Sequence, residues 1–253
     1  MRLISWNLNG IRAAMKKGVG DWMQDYRADM YAFQEVKAQE QQLDESILTI
    51  GDYHPYFHPA KRKGYSGVAF YIRGQQPDEV RNGFDARYDD EGRVILARYG
   101  NLHFYNVYFP NGQSSPERLA YKMAFYDDFL AHIEAERAQG KDILVCGDYN
   151  TAHREIDIAR PKENSHTSGF LPVERAWMDA LASHGYVDTY RHFHPEDVAY
   201  TWWSMRTGAR ARNVGWRIDY FYVNQEALDH VKSAFILTEV MGSDHCPLGI
   251  DWE

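Results

Sequence analysis

Short apolar runs that break off into polar signatures constrain this chain more than any other feature. Leu3–Trp6, Met30–Phe33, Gly67–Ile72, Val94–Arg98, Leu102–Tyr108, Ile143–Cys146, Ile218–Val223 and Leu248–Trp252 are all rich in branched and aromatic residues, as strands are. Two of them flank the signatures Gly147-Asp148-Tyr149-Asn150 and Gly242-Ser243-Asp244-His245, about a hundred residues apart. Only a fold that returns its strands to one edge can unite the two. Regular strand–helix alternation is absent, which argues against a doubly wound sheet or an α/β barrel. Two sheets packed face to face with helices outside fit better.

The clearest helix begins at Ser115-Pro116-Glu117, an N-cap followed by proline in the first turn. Its apolar residues Leu119, Met123, Tyr126, Leu130 and Ile133 recur at helical spacing, so they read as core. A second helix is predicted from about Pro172 to His184, stopped by Gly185. The 253 residues, 44% apolar and 25% charged, contain no repeat, linker or low-complexity tract, and the reading is one domain over residues 1–253. No run approaches the ~18 apolar residues of a membrane span. The N-terminus reads as a strand rather than a signal peptide, and no regulatory segment is expected ahead of it. A cytoplasmic protein follows, with Cys146 and Cys246 as reduced thiols; a disulfide between them is the alternative. The net charge of −8 argues against a uniformly basic coat. It leaves room for a local basic track from Lys61-Arg62-Lys63 and from Arg206 through Arg212.

The chemistry-bearing residues mass at the strand ends. Asn7 and Asn9 follow the first run, with one face in common by the period of two. Glu35 follows the second and suits a hard divalent cation. Tyr108 and Asn111 follow another run. After Ile143–Cys146, Gly147 permits tight geometry, and Asp148 and Asn150 are expected to point the same way, as a base and an amide donor. Asp219 sits inside an aromatic strand and needs a buried partner; His245 is the natural one, its imidazole oriented and charged by the carboxylate. Each residue alone reads as an ordinary structural group, but together they form a phosphodiesterase kit. Zinc-type His/Cys spacing, a P-loop and a Gly-x-Ser-x-Gly elbow are absent.

The residues resemble the exonuclease III family of abasic-site (AP) endonucleases, within the endonuclease/exonuclease/phosphatase superfamily. The matching stretches include Ser5-Trp6-Asn7-Leu8-Asn9-Gly10, Gln34-Glu35-Val36-Lys37, Tyr108-Phe109-Pro110-Asn111, Gly147-Asp148-Tyr149-Asn150-Thr151-Ala152-His153, Ser168-Gly169-Phe170 with Glu174-Arg175, Tyr200-Thr201-Trp202-Trp203, Asn213-Val214-Gly215-Trp216-Arg217-Ile218-Asp219-Tyr220 and Gly242-Ser243-Asp244-His245-Cys246-Pro247. They run the length of the chain in order. The resemblance implies a deoxyribonuclease I-like, four-layer α/β sandwich with two packed mixed sheets and the site at one edge.

It also implies roles. Glu35 would bind Mg²⁺, with Mn²⁺ as substitute, Asn7 would position the ion and its water, and Asp244 would lie near it. Asp148 would orient or deprotonate the attacking water, and Asn150 would hold the phosphate. His245, paired with Asp219, would offset developing charge. Tyr108 and Asn111 would assist at the phosphate or leaving oxygen. Trp202, Trp216 and Ile218 would form a pocket for a flipped-out baseless sugar, and Asn164 would bind backbone phosphate. The partner would be double-stranded DNA with abasic sites or blocked 3′ ends, met by a monomer.

This sequence departs from the family pattern at Asn9, where many relatives carry Asp, which puts a second metal position in doubt. It also departs in the loop Glu163-Asn164-Ser165-His166-Thr167, where His166 and Thr167 are candidates for shifting the balance toward exonuclease work. The alternatives to the AP endonuclease reading are a predominantly 3′→5′ exonuclease, a non-catalytic nucleic-acid-binding regulator on the same fold, and a phosphatase of small molecules or lipids.

Overall fold

The structure is a computed structural model that describes residues 1–206 and 208–253; Thr207, inside the second basic stretch, lies outside the described residues. In chain order the strands are β1 (Arg2–Asn7), β2 (Met30–Gln34), β3 (His54–His58), β4 (Val68–Ile72), β5 (Glu79–Asn82), β6 (Val94–Tyr99), β7 (Leu102–Tyr108), β8 (Asp142–Asp148), β9 (Tyr186–Asp188), β10 (Asp219–Asn224), β11 (Val231–Ile236) and β12 (Leu248–Trp252). They form two six-stranded sheets, ordered β11-β12-β1-β2-β4-β3 and β5-β6-β7-β8-β10-β9. Both sheets are mixed, since β1 and β2 are parallel, as are β7 and β8, while their other pairings are antiparallel. The two sheets thus repeat one strand pattern, a resemblance in topology with no counterpart in the sequence.

The sheets pack face to face. Leu3, Met30, Ala32, Val68 and Phe70 from the first meet Ile95, Phe104, Leu144, Cys146 and Phe221 from the second. Alternate residues of the same strands face outward beneath helices. Ile4, Trp6, Tyr31 and Phe33 pack under Ile11–Met15 and Val19–Tyr26. On the other side, Tyr105, Val107, Val145 and Tyr222 pack under Pro116–Arg137 and Pro172–Ser183. The central strands are covered on both faces, which is why they read as continuous apolar runs rather than alternating ones. Helix, sheet, sheet and helix make the four layers of a deoxyribonuclease I-like sandwich.

The helix starts follow the sequence. Ser115 accepts a hydrogen bond from the Arg118 backbone N–H at 3.2 Å, with proline in the first turn. Of that helix's expected core residues, Tyr126, Leu130 and Ile133 are buried, and Leu119 and Met123 half-buried. Cys146 and Cys246 are buried free thiols. Among the described residues, no helix is long and apolar enough to cross a membrane.

Topology carries the chemical groups to one edge. Asn7 ends β1, and Glu35 follows β2 alongside it. Tyr108 and Asp148 are paired at the ends of β7 and β8, and Asp219 opens β10 opposite Asp148. Ser5 near the end of β1 pairs with Leu248 at the start of β12, which puts the 242–245 loop beside them. Beneath this edge lies a polar tie in an apolar interior. Gln34 Nε2 donates to Ser5 Oγ at 3.0 Å and to Asn106 Oδ1 at 2.7 Å, joining the two sheets.

Candidate active site

Backbone geometry aims the first groups. Glu35, Asn9 and Asn150 have φ of 50°, 48° and 51°, a left-handed region uncommon outside glycine, whose cost the surrounding structure must offset. Gly147, with φ 142°, is required by a close approach: a Cβ there would stand 1.8 Å from the Val107 carbonyl oxygen. The glycine lets β8 run against β7 up to Asp148.

Asn7 joins the two sheets at the site. Its Nδ2 donates to Glu35 Oε1 at 2.9 Å and to Asp148 Oδ2 at 2.8 Å. Lys37 lies 2.6 Å from Glu35 Oε2 and also donates to Asn9. Burial works against the Glu35 charge, yet the Lys37 ammonium and the Asn7 amide hold its carboxyl below the usual range. Asp148 is different. Burial, then the nearby Asp219 charge, pushes it up to about 8, with His245 acting in the opposite sense.

His245 Nδ1 lies 2.8 Å from Asp219 Oδ2, and its Nε2 is 4.0 Å from Asp148 Oδ2. Burial opposes a charge on the imidazole, but Asp219, by charge and hydrogen bond, raises it to about 10. The ring is therefore an imidazolium at neutral pH, with its Nδ1–H donating to Asp219 and its Nε2–H available as a second donor. Thr201 Oγ1 donates to Asp219 Oδ2 at 2.6 Å and completes the carboxylate's setting. Asn150 turns back on Asp148, its backbone N–H donating to Oδ1 at 2.8 Å. Asn111 Nδ2 donates to Asn150 Oδ1 at 3.0 Å. Tyr108 stacks beneath the Arg93 guanidinium, 4.7 Å from the ring centroid. Burial, then the Glu35 charge, lifts the Tyr108 phenol well above its ordinary value, so it stays protonated.

These groups open on a cleft of about 170 Å³ lined by Glu35, Tyr108, Asn111, Asp148, Asn150, Asp244 and His245 on the polar side and by Trp202, Trp216 and Ile218 on the apolar side. Trp202 and Trp216 meet edge to face at 5.9 Å, packed with Ile158, Phe170 and Ile218. Glu35, Asp148 and His245 offer ligand atoms within 4.8 Å of one another, a group that could hold a metal ion. Of these, the two carboxylates are the hard-oxygen donors, since His245 carries protons on both nitrogens. Burial first, and then the Asp219 and Glu35 charges, disfavour the ionised form of Asp148, and a divalent cation beside it would offset them.

The structure gathers most of the sequence-predicted residues in this cleft, with two distinctions and one outlier. Asn7 presents its N–H₂ to the carboxylates. Asp244 spends Oδ1 on Asn9 Nδ2 and Ser243 Oγ, and Oδ2 on Trp202 Nε1, each at 3.1 Å, outside the three-residue group. Asn164 is not brought to the cleft. Its amide donates to the Ala159 and Arg160 carbonyls of its own loop, and it lines a neighbouring depression with Arg160, Thr167, Arg212 and Trp216. Arg210, from the second basic stretch, donates instead to the Ser243, Thr238 and Val240 carbonyls. Sequence reasoning assigned no role to Lys37, Thr201 or Arg93. Lys37 and Thr201 fall inside stretches it singled out, and a lysine two residues from a candidate metal carboxylate was the available signal.

Comparison with known proteins agrees with the geometry. Residues 4–245 match the endonuclease/exonuclease/phosphatase family. An exodeoxyribonuclease of Bacillus subtilis (strain 168) is 43% identical over 251 residues, 98% of each chain. The chain belongs to the exonuclease III-like AP endonucleases. A DNA-(apurinic or apyrimidinic site) endonuclease of Dictyostelium discoideum is 39% identical over 99% of this chain and 70% of its own. Among solved structures, the 3′-5′ exonuclease of Neisseria meningitidis superposes with a TM-score of 0.90 at 26% identity, covering all of both chains. As a member of this family the chain is a hydrolase of DNA phosphodiester bonds, and the family is one of divalent-metal-dependent nucleases.

Proposed function

We propose that this protein is a Mg²⁺-dependent AP endonuclease that cuts 5′ to an abasic site and leaves a 3′-hydroxyl, with 3′-phosphodiesterase and 3′→5′ exonuclease activity. The observation that carries the reading is the shared cleft: a carboxylate pair and an Asp219-charged His245 on one side, an apolar Trp202/Trp216/Ile218 wall on the other. The apolar wall suits a sugar without its base, since a flipped deoxyribose exposes carbon surface and an intact nucleotide would be too large.

Glu35 and Asp148 would hold the Mg²⁺, kept in place by Asn7, with Asp244 fixed nearby by Asn9 and Trp202. When bound there, a divalent ion would neutralise phosphate charge and favour the ionised form of Asp148. Asp148 takes the proton of the attacking water. His245 donates to a phosphate oxygen, Asn150 reaches the phosphate by turning its amide from the Phe109 carbonyl it now meets at 2.9 Å, and Asp219 keeps His245 charged as negative charge develops. The protonated Tyr108 phenol donates to the leaving oxygen, with Asn111 holding Asn150 in place. One catalytic domain over residues 1–253 performs this work as a cytoplasmic monomer, a setting with which two buried free thiols agree.

The similarity to an exodeoxyribonuclease and a 3′-5′ exonuclease favours one second reading, a predominantly 3′→5′ exonuclease. Thr167 lines the cleft and His166 is exposed beside it. Product mapping on a duplex with one central abasic analogue, beside an intact duplex, separates the two. A single product ending in a 3′-hydroxyl at the lesion supports the endonuclease. A ladder from the 3′ ends of both duplexes, without the central cut, supports the exonuclease.

A further inference from the structure

Lys122 lies on the buried side of the helix Pro116–Arg137, and Glu174 in the first turn of Pro172–Ser183. Their side chains are both 0% exposed and meet at 2.6 Å. Neither reaches the cleft, and a buried lysine and glutamate are costly to desolvate. An apolar pair would fill the same space between two helices already joined by Tyr126 stacking on Trp177, 4.0 Å apart. What the charged pair adds is the set of groups it grips.

Lys122 Nζ donates to the Asn150 carbonyl and to Thr151 Oγ1, both at 2.8 Å. Glu174 Oε1 accepts from Ser168 Oγ at 2.9 Å, and Oε2 accepts the backbone N–H groups of Gly169 at 2.5 Å and Leu171 at 3.0 Å. One loop, after β8, carries Asn150. The other, 167–169, lines the cleft and packs so closely on the Trp216 indole that a Cβ on Gly169 would stand 2.9 Å from it. The Ala152 N–H donates to the Gly169 carbonyl at 2.8 Å and ties the two loops directly. Burial lowers the Lys122 ammonium from its ordinary value, with Glu174 opposing.

We propose that Lys122 and Glu174 are positioning residues for the incision reaction, a buried ionic clamp that fixes the phosphate-facing Asn150 loop against the Ser168–Gly169 wall of the sugar pocket. The proposal rests on the functional reading above. Neither residue touches substrate; both act through the loops they hold. Loops carry site residues at the risk of wandering, and a displacement near 1 Å at a reacting centre can cost about a hundredfold in rate. A purely apolar contact is non-directional and would leave the loops' backbone groups without fixed partners.

The test is the paired variant Lys122→Met with Glu174→Gln, which removes both charges together and avoids leaving one stranded. We expect it to melt within about 5 °C of the wild type, to bind abasic duplex within about 3-fold, and to cut in single turnover about 10- to 100-fold more slowly. A folded paired variant that cuts at the wild-type rate overturns the proposal. Amide exchange without DNA gives a readout independent of the reaction: Ala152 should exchange at least about 10-fold faster in the variant while β7 and β8 amides stay protected. If the wild type itself does not incise, the functional reading fails, and exchange alone decides on the clamp, with an unchanged Ala152 rate overturning it. Should the paired variant not fold, Thr151→Val removes the hydroxyl that Lys122 grips. A fall of about 5-fold or more supports the clamp, and a wild-type rate overturns it.

Discussion

The Asn7 amide donates to the Asp148 carboxylate at 2.8 Å across the boundary between the two sheets. Asn7 and Glu35 belong to one sheet edge, and Tyr108, Asp148 and Asp219 to the other. The site therefore exists only while the sheets keep their relative placement, which the Gln34–Asn106 contact below it helps to fix. Directional polar ties of this kind set a register that apolar packing alone leaves loose.

Asp148→Asn removes the proton acceptor while keeping a side chain of the same shape beside Asn7. Single-turnover cleavage should fall by about 10²- to 10⁴-fold, with duplex affinity within a few-fold of wild type by fluorescence anisotropy. Near-normal turnover would remove Asp148 from the role of base.

His245→Ala should cost about 2–4 kcal/mol of transition-state stabilisation, by analogy with the loss of one oxyanion donor. Asp219→Asn tests how the imidazole is charged. The folded-state value of His245 is raised from 6.5 to about 10, so its stabilisation is complete below pH ~6.5 and lost as pH rises through ~10. The stability gap between wild type and Asp219→Asn in urea should accordingly narrow from pH ~6.5 to ~10. A constant gap would mean that the pair holds no extra proton.

Metal binding should release protons at pH ~7. Burial and the Asp219 charge hold Asp148 up to about 8 in the metal-free protein, and a cation beside it favours the ionised form. Titration calorimetry with Mg²⁺ or Mn²⁺ in buffers of different ionisation enthalpy should give heats that depend on the buffer. Buffer-independent heats would contradict this.

Gly147→Ala should destabilise the fold by at least about 3 kcal/mol, read from urea unfolding. The added Cβ would collide with the Val107 carbonyl at 1.8 Å, at a φ of 142° that a side chain rarely adopts. A loss under ~1 kcal/mol would show that β7 and β8 can part at Asp148 without penalty.

The interior strands and the site they carry were legible in the sequence, and the edges were not. All eight apolar runs correspond to strands, whereas β3, β5, β9 and β11, which went unnoticed, are the four edge strands of the two sheets. Edge strands bury less: β5 reads Glu79-Val80-Arg81-Asn82, with no fully buried residue. Their pairing comes from the neighbouring strand rather than from an apolar run of their own. Asp148 likewise stood out as a polar group directly after an apolar run, Asp219 as an acid inside an aromatic strand, and His245 as the imidazole to partner it. Lys122 gave no such signal. In sequence it is one more charged residue on a helix, and only the fold brings Glu174, 52 positions later, to meet it. Asn164 shows the opposite limit, since its residue type suits phosphate binding but its loop already uses the amide.

Metal-dependent hydrolysis at an abasic site by Asp148 and its neighbours can be read in a single three-way reaction. A labelled duplex with a single abasic analogue is incubated with wild type plus Mg²⁺, wild type plus chelator, and Asp148→Asn plus Mg²⁺. Incision 5′ to the lesion is expected in the first reaction and essentially none in the other two. Equal incision in chelator, or in Asp148→Asn, would contradict it, as would a wild type that binds the duplex and leaves it intact.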